Sequence, residues 1–169
     1  MRPPNKAKAR PLTVLTFHGN AGNIGHRLPI ARMLTNEMNC KVLMLEYRGY
    51  GLSTGNPNEP GLVIDAQTGL DYIRNREDLK YDGILLYGQS LGGAVAIDLV
   101  SKNQDEGDIR GLVLENTFLS IQKMIPSAMP VAKYLAPLCH EYWRSEEMLP
   151  KITGVPVLFL SGLKDEIVP

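Results

Sequence analysis

The chain has 169 residues, with 18 Lys and Arg balancing 18 Asp and Glu for a formal net charge of zero. That length is one domain's worth, and the balanced charge leaves no basic footprint for a nucleic-acid backbone or an anionic membrane surface and no acidic tail. A 44% hydrophobic content excludes a disordered chain and supplies a sizeable core, while 16 Gly and 12 Pro point to many tight turns between short elements. The two cysteines, Cys40 and Cys139, form neither a disulfide framework nor a zinc spacing and permit a reducing compartment. No run approaches the roughly 18 consecutive apolar residues that span a bilayer, so no transmembrane segment is expected. Residues 1–11 carry positive charge but no following apolar stretch, so they read as a flexible leader to a domain over 12–169.

In chain order, short apolar runs recur at Leu12–His18, Lys41–Tyr47, Ile84–Gly88, Leu112–Asn116 and Val155–Ser161. Each is continuously hydrophobic and rich in Val, Ile and Leu, the pattern of a strand covered on both faces. Segments with helical spacing separate them: Ile24–Met38, Gly61–Arg76, Leu91–Lys102 and Ser120–Met129. Alternating strands and helices predict an α/β fold, a doubly wound, mostly parallel sheet of about five strands with helices on both faces. The stretch from Met129 to Lys151 is longer than a crossover requires and reads as a small lid over the carboxyl edge of the sheet.

Ligands of open α/β sheets bind outside the carboxyl ends of the strands, so chemistry is sought there. After the run Ile84–Tyr87 comes Gly88-Gln89-Ser90-Leu91-Gly92-Gly93, followed by the helical Ala94-Val95-Ala96-Ile97. This is a G-x-S-x-G nucleophile elbow in its strand, turn, helix context. Gly88 and Gly92 are required where a side chain would collide with the neighbouring strand and helix, and Ser90 is the candidate nucleophile. The first run ends Phe17-His18-Gly19-Asn20-Ala21-Gly22, small residues that let backbone amides approach a substrate oxygen. The backbone N–H groups of Asn20 and Leu91 are the candidate oxyanion donors. His18 and Gly19 read as loop-anchoring residues, His26 as exposed or capping, and Arg48 as a tie for the neighbouring loop.

His18-Gly19-Asn20-Ala21-Gly22-Asn23, Tyr47-Arg48-Gly49-Tyr50-Gly51-Leu52-Ser53, the Ser90 elbow and Ser161-Gly162-Leu163-Lys164-Asp165 through Pro169 resemble four consecutive landmarks of the α/β-hydrolase superfamily of serine hydrolases. The likeness is to its eukaryotic, acyl-protein-hydrolase-like branch and covers almost everything from Leu12 onward. Some members of that branch look like enzymes that remove palmitoyl groups from protein cysteines; others look like orphan hydrolases anchored by an N-terminal helix, which is not found here. The resemblance implies that the five runs are the third to seventh strands of the fold, that the first and third lie side by side, and that Asn20 and Ser90 face one another. It also implies that Asp165 is the triad acid, with Glu115 in reserve. The triad histidine should follow the acid, yet only Glu166–Pro169 remain, so a chain truncated before its base is expected; His140, in the lid stretch, is the alternative base.

The function expected is hydrolysis of a carboxylic ester or thioester, with a small-molecule or lipid-acyl ester as substrate. No nucleic-acid partner, cofactor or metal is implied. A non-catalytic binding protein that retains the pocket, and an aminopeptidase-like hydrolase on the same fold, are the rival readings.

Overall fold

A computed structural model describes residues 1–117 and 142–162. The segment Ser120–Met129, Cys139, His140 and Asp165 lie outside the described residues, as does most of the expected lid. Five parallel strands form one sheet: β1 (Leu12–Phe17), β2 (Lys41–Leu45), β3 (Gly83–Gln89), β4 (Ile109–Glu115) and β5 (Val157–Leu160), in the order β2-β1-β3-β4-β5. The first and third strands are therefore neighbours, with Leu12 opposite Gly83 and Phe17 opposite Gly88.

Three principal helices serve as crossovers: α1 (Leu28–Met38), α2 (Glu59–Asn75) and α3 (Leu91–Asn103). Helical spacing begins at Ile24, but Ile24–Arg27 is a 3₁₀ turn and α1 restarts at Leu28. Pro29 accounts for the reset, because a residue without an N–H fits only the first turn of an α-helix. Asn23 caps the 3₁₀ turn by accepting from the Gly25 N–H at 2.9 Å, and the Nδ1 of His26 returns to the Asn23 N–H at 3.3 Å, a capping box. At α2 the Asn58 side chain accepts from the Gly61 N–H at 2.8 Å, so the helix starts two residues before the sequence pattern does, with Pro60 in its first turn.

Strand alternation gives the sheet two faces. Leu15, Phe17, Ile84, Leu86, Leu112 and Leu114 form the main core with α2 and α3. Almost every residue of α3 is buried, which suits a helix hydrophobic around most of its circumference. On the other face Val14 and Val42 pack with Ala31 of α1 and with the buried Cys40. Residues 1–11, read from sequence as a flexible leader, make specific contacts: the Val42 N–H donates to the Met1 carbonyl at 3.0 Å, Arg2 pairs with Asp78, and the Arg10 N–H donates to the Asn39 carbonyl at 3.0 Å.

Candidate active site

Ser90 sits between the end of β3 and the start of α3 with φ 52° and ψ −115°. A non-glycine residue at positive φ is strained and persists only where its surroundings fix it. Here the Ser90 N–H donates to the Glu115 carbonyl of β4 at 2.9 Å, and its own carbonyl accepts from the Gly93 N–H at 2.9 Å. Two glycines make the turn possible. A Cβ on Gly88 would run into the Gly92 carbonyl, and one on Gly92 would run into the carbonyl of Phe17 on β1. Close packing of α3 onto β1 thus forces the elbow and aims Ser90 out of the sheet's end.

The Ser90 side chain makes no capping bond to α3. Leu91 is the first residue of that helix, one of the positions whose N–H has no intrahelical partner, and the helix dipole adds positive potential there. The loop after β1 packs against the elbow, since a Cβ on Gly19 would stand 3.5 Å from both the Ser90 Cβ and the Gln89 carbonyl. Asn20, the next residue, is exposed, and its side-chain oxygen accepts from the Tyr50 hydroxyl at 2.6 Å. The structure therefore brings the loop of Asn20, Ser90 and the first turn of α3 to one place.

His18 is buried beneath this loop. Its Nδ1 donates to the Gly19 carbonyl at 2.8 Å, and its Nε2 lies 3.0 Å from Glu46 Oε1, though out of line for a ring N–H bond. Burial pushes the imidazole below its ordinary pKa, outweighing the upward pull of the Gly19 carbonyl and the Glu46 carboxylate. A neutral ring committed to its own loop is an anchor. The Tyr47 ring packs on it with centroids 4.4 Å apart, the Tyr47 hydroxyl donates to the His18 carbonyl at 3.2 Å, and Tyr50 meets it edge-on at 5.1 Å.

Glu46 lies outside the sequence motifs and Tyr50 stands in the Tyr47–Ser53 landmark without an assigned role, yet both hold the loop of Asn20. Glu46 Oε2 accepts from the Ile24 N–H at 3.3 Å while Oε1 faces His18. Both follow β2, the strand beside β1, so strand adjacency is the clue that motif reading lacks. Arg48, expected to tie a neighbouring loop, instead ties its own loop to α2 through paired bonds to Asp65 with a closest approach of 2.7 Å. Glu115, the reserve acid, accepts a hydrogen bond from Tyr87; burial and that carboxylate push the phenol well above its ordinary value. Asp165 and His140 lie outside the described residues. Among the described residues no cluster of His, Cys, Asp and Glu could hold a metal, and no helix is long and apolar enough to cross a membrane.

A family model described as serine aminopeptidase, S33, matches residues 8–152. An α/β hydrolase from Vibrio vulnificus superposes with a TM-score of 0.80 at 26% identity, covering 92% of this chain and 58% of that one. The chain belongs to the α/β hydrolases. The chain is 53% identical over 163 residues to protein bem46 of Schizosaccharomyces pombe, a match covering 96% of this chain and 54% of that protein. It spans about half the length of the curated relatives it matches. The esterase Pf2001 of Pyrococcus furiosus shares its fold, with a TM-score of 0.73 at 20% identity over 94% of this chain and 62% of that one.

Proposed function

We propose that this chain supplies the nucleophile and oxyanion donors of a serine hydrolase acting on carboxylic esters or thioesters. The observation that carries the reading is Ser90 itself: a strained residue at a strand-to-helix elbow, its hydroxyl free of capping duty, beside the first N–H of α3. In this reading the Ser90 oxygen attacks the acyl carbon. The developing oxyanion accepts from the Leu91 and Asn20 N–H groups, and the alcohol or thiol departs to leave an acyl-serine that water cleaves. Asp165 is the acid that orients the base, and the base is a histidine following the acid, the order of α/β-hydrolase triads. Esterases among the proteins of like fold support the choice of an ester bond.

The test is fluorophosphonate labelling of the whole-length protein. Ser90 should carry the label and Ser90→Ala should abolish it; labelling that survives the substitution puts the nucleophile elsewhere. The description of the matching family supports a second reading, amide hydrolysis at a peptide N-terminus. Faster turnover of aminoacyl p-nitroanilides than of p-nitrophenyl esters selects it.

A further inference from the structure

Beside the oxyanion donors lies a solvent-open cavity of about 180 Å³, lined by Asn20, Tyr50, Leu62, Leu91 and Trp143 with the turn that enters α2. We infer that this cavity is the acyl pocket, and that the wall formed by Trp143 restricts it to an acyl group of about four carbons or a single ring. The inference rests on the roles proposed above for Ser90, Leu91 and Asn20.

Position comes first. Two of the lining residues, Asn20 and Leu91, are those whose N–H groups would receive the carbonyl oxygen, so a substituent on the same carbon reaches the mouth of the cavity. That substituent is the acyl group rather than the leaving group. The acyl part stays bonded to Ser90 through both halves of the reaction, whereas the alcohol or thiol must escape. The buried side chains of Leu62, Leu91 and Trp143 give the acyl group an apolar floor to rest on.

Size comes second. An apolar cavity of roughly 150 Å³ holds a benzene molecule, and pockets for drug-sized ligands run from about 300 Å³ upward. A butanoyl or benzoyl group fits the space here; a long fatty acyl chain does not. Because protein interiors are packed near crystal density, buried walls do not yield to an oversized group without cost.

The third argument is how Trp143 is held. Its φ is 41°, a backbone conformation that a bulky side chain adopts only when its surroundings impose it. The N–H groups of Tyr142 and Trp143 both donate to the Glu59 carboxylate, at 2.6 and 3.2 Å, and the Trp143 carbonyl accepts from the Ser145 N–H at 2.8 Å. Glu59 is the first residue of α2. The indole is thus pinned, through its backbone, to the end of a helix that itself lines the cavity. Nothing in the chemistry of Ser90 needs this strained attachment, but a fixed pocket wall does.

Trp143 is the only tryptophan in the chain, so its emission reads the pocket directly. Butyramide and benzamide, uncharged stand-ins for short acyl groups, should change that emission saturably in the wild type and in Ser90→Ala, and octanamide should not. In the whole-length protein a butyl fluorophosphonate should label Ser90 about tenfold faster than a dodecyl one, and Trp143→Ala should erase most of that preference. Since Trp143→Ala also removes a buried side chain, Leu62→Phe is the second variant: by adding bulk to the same wall it should weaken butyramide binding about tenfold, while a methyl fluorophosphonate still labels Ser90. Equal labelling by the butyl and dodecyl probes, or an emission indifferent to every amide, overturns the pocket and leaves the hydrolase reading intact. Absence of Ser90 labelling by any probe, with amide binding retained, overturns the hydrolase reading and with it the acyl role, leaving a cavity that binds small amides.

Discussion

Ser90 holds a backbone conformation that costs on the order of 1–3 kcal/mol, and the residues that impose it are small or belong to other strands. Tyr50 acts one step further out. Its hydroxyl fixes the side chain of Asn20, whose N–H is a proposed oxyanion donor, so it is a positioning residue for that loop. Tyr50→Phe removes one exposed hydrogen bond, a net loss of about 0.5–1.5 kcal/mol. Fluorophosphonate labelling of Ser90 should slow by about three- to tenfold, while the urea midpoint falls by only the few tenths of a molar that this loss implies. Unchanged labelling would show that Asn20 needs no help from Tyr50. The elbow was legible in sequence because strand, turn and helix are contiguous there, and the loop of Asn20 because its small residues follow a strand directly. The roles of Glu46, Tyr50 and Trp143 were not legible, although Tyr50 stands within the Tyr47–Ser53 landmark. They reach the site through strand order and through a contact to α2 from more than eighty residues downstream of Glu59, and neither leaves a local pattern.

Elements are joined behind the site by charge as well as by packing. Near the end of α2, Arg74 meets Asp108, just ahead of β4, at 2.7 Å and also donates to Asn103 of α3 at 2.9 Å. The Arg74 guanidinium holds the Asp108 carboxyl below its usual range. A carboxylate with a depressed folded pKa contributes stability that is fully present above its unfolded value of about 3.9 and is lost as pH falls through the folded value. Arg74→Met should therefore destabilise the chain by about 1–2 kcal/mol at pH 7, and the gap to wild type should narrow below about pH 4. Urea unfolding at pH 7 and pH 3 checks this; a gap that widens in acid refutes it. All five strands could be read as continuous apolar runs, but not where they end. β4 begins at Ile109, ahead of the run starting at Leu112, because alternate residues such as Arg110 face away from the core and break the apolar pattern.

At the scale of the molecule, α2 and α3 cover one face of the sheet, while the other face beyond α1 carries a groove of about 920 Å³ lined by Leu85, Tyr87, Val113, Leu158 and Leu160. Among the described residues β5 is an edge strand, and its Leu158 and Phe159 are 55% and 59% exposed. Exposed apolar edges invite pairing with another chain, and an inward or edge lysine is a common guard against it. Leu158→Lys should raise the concentration at which the 169-residue chain stays monomeric by about threefold or more, as read by light scattering; a variant that associates as readily as wild type would clear β5 of blame. The order of the sheet also matters to a chain still emerging from the ribosome. β1 lies between β2 and β3, and Leu12 finds Gly83 only after roughly 70 further residues have been made, a wait of about 4 to 14 s at ~5–20 residues per second. Through that interval an interior strand of the sheet has at least one side unpartnered, and the nascent chain must shelter it before the serine has been synthesised.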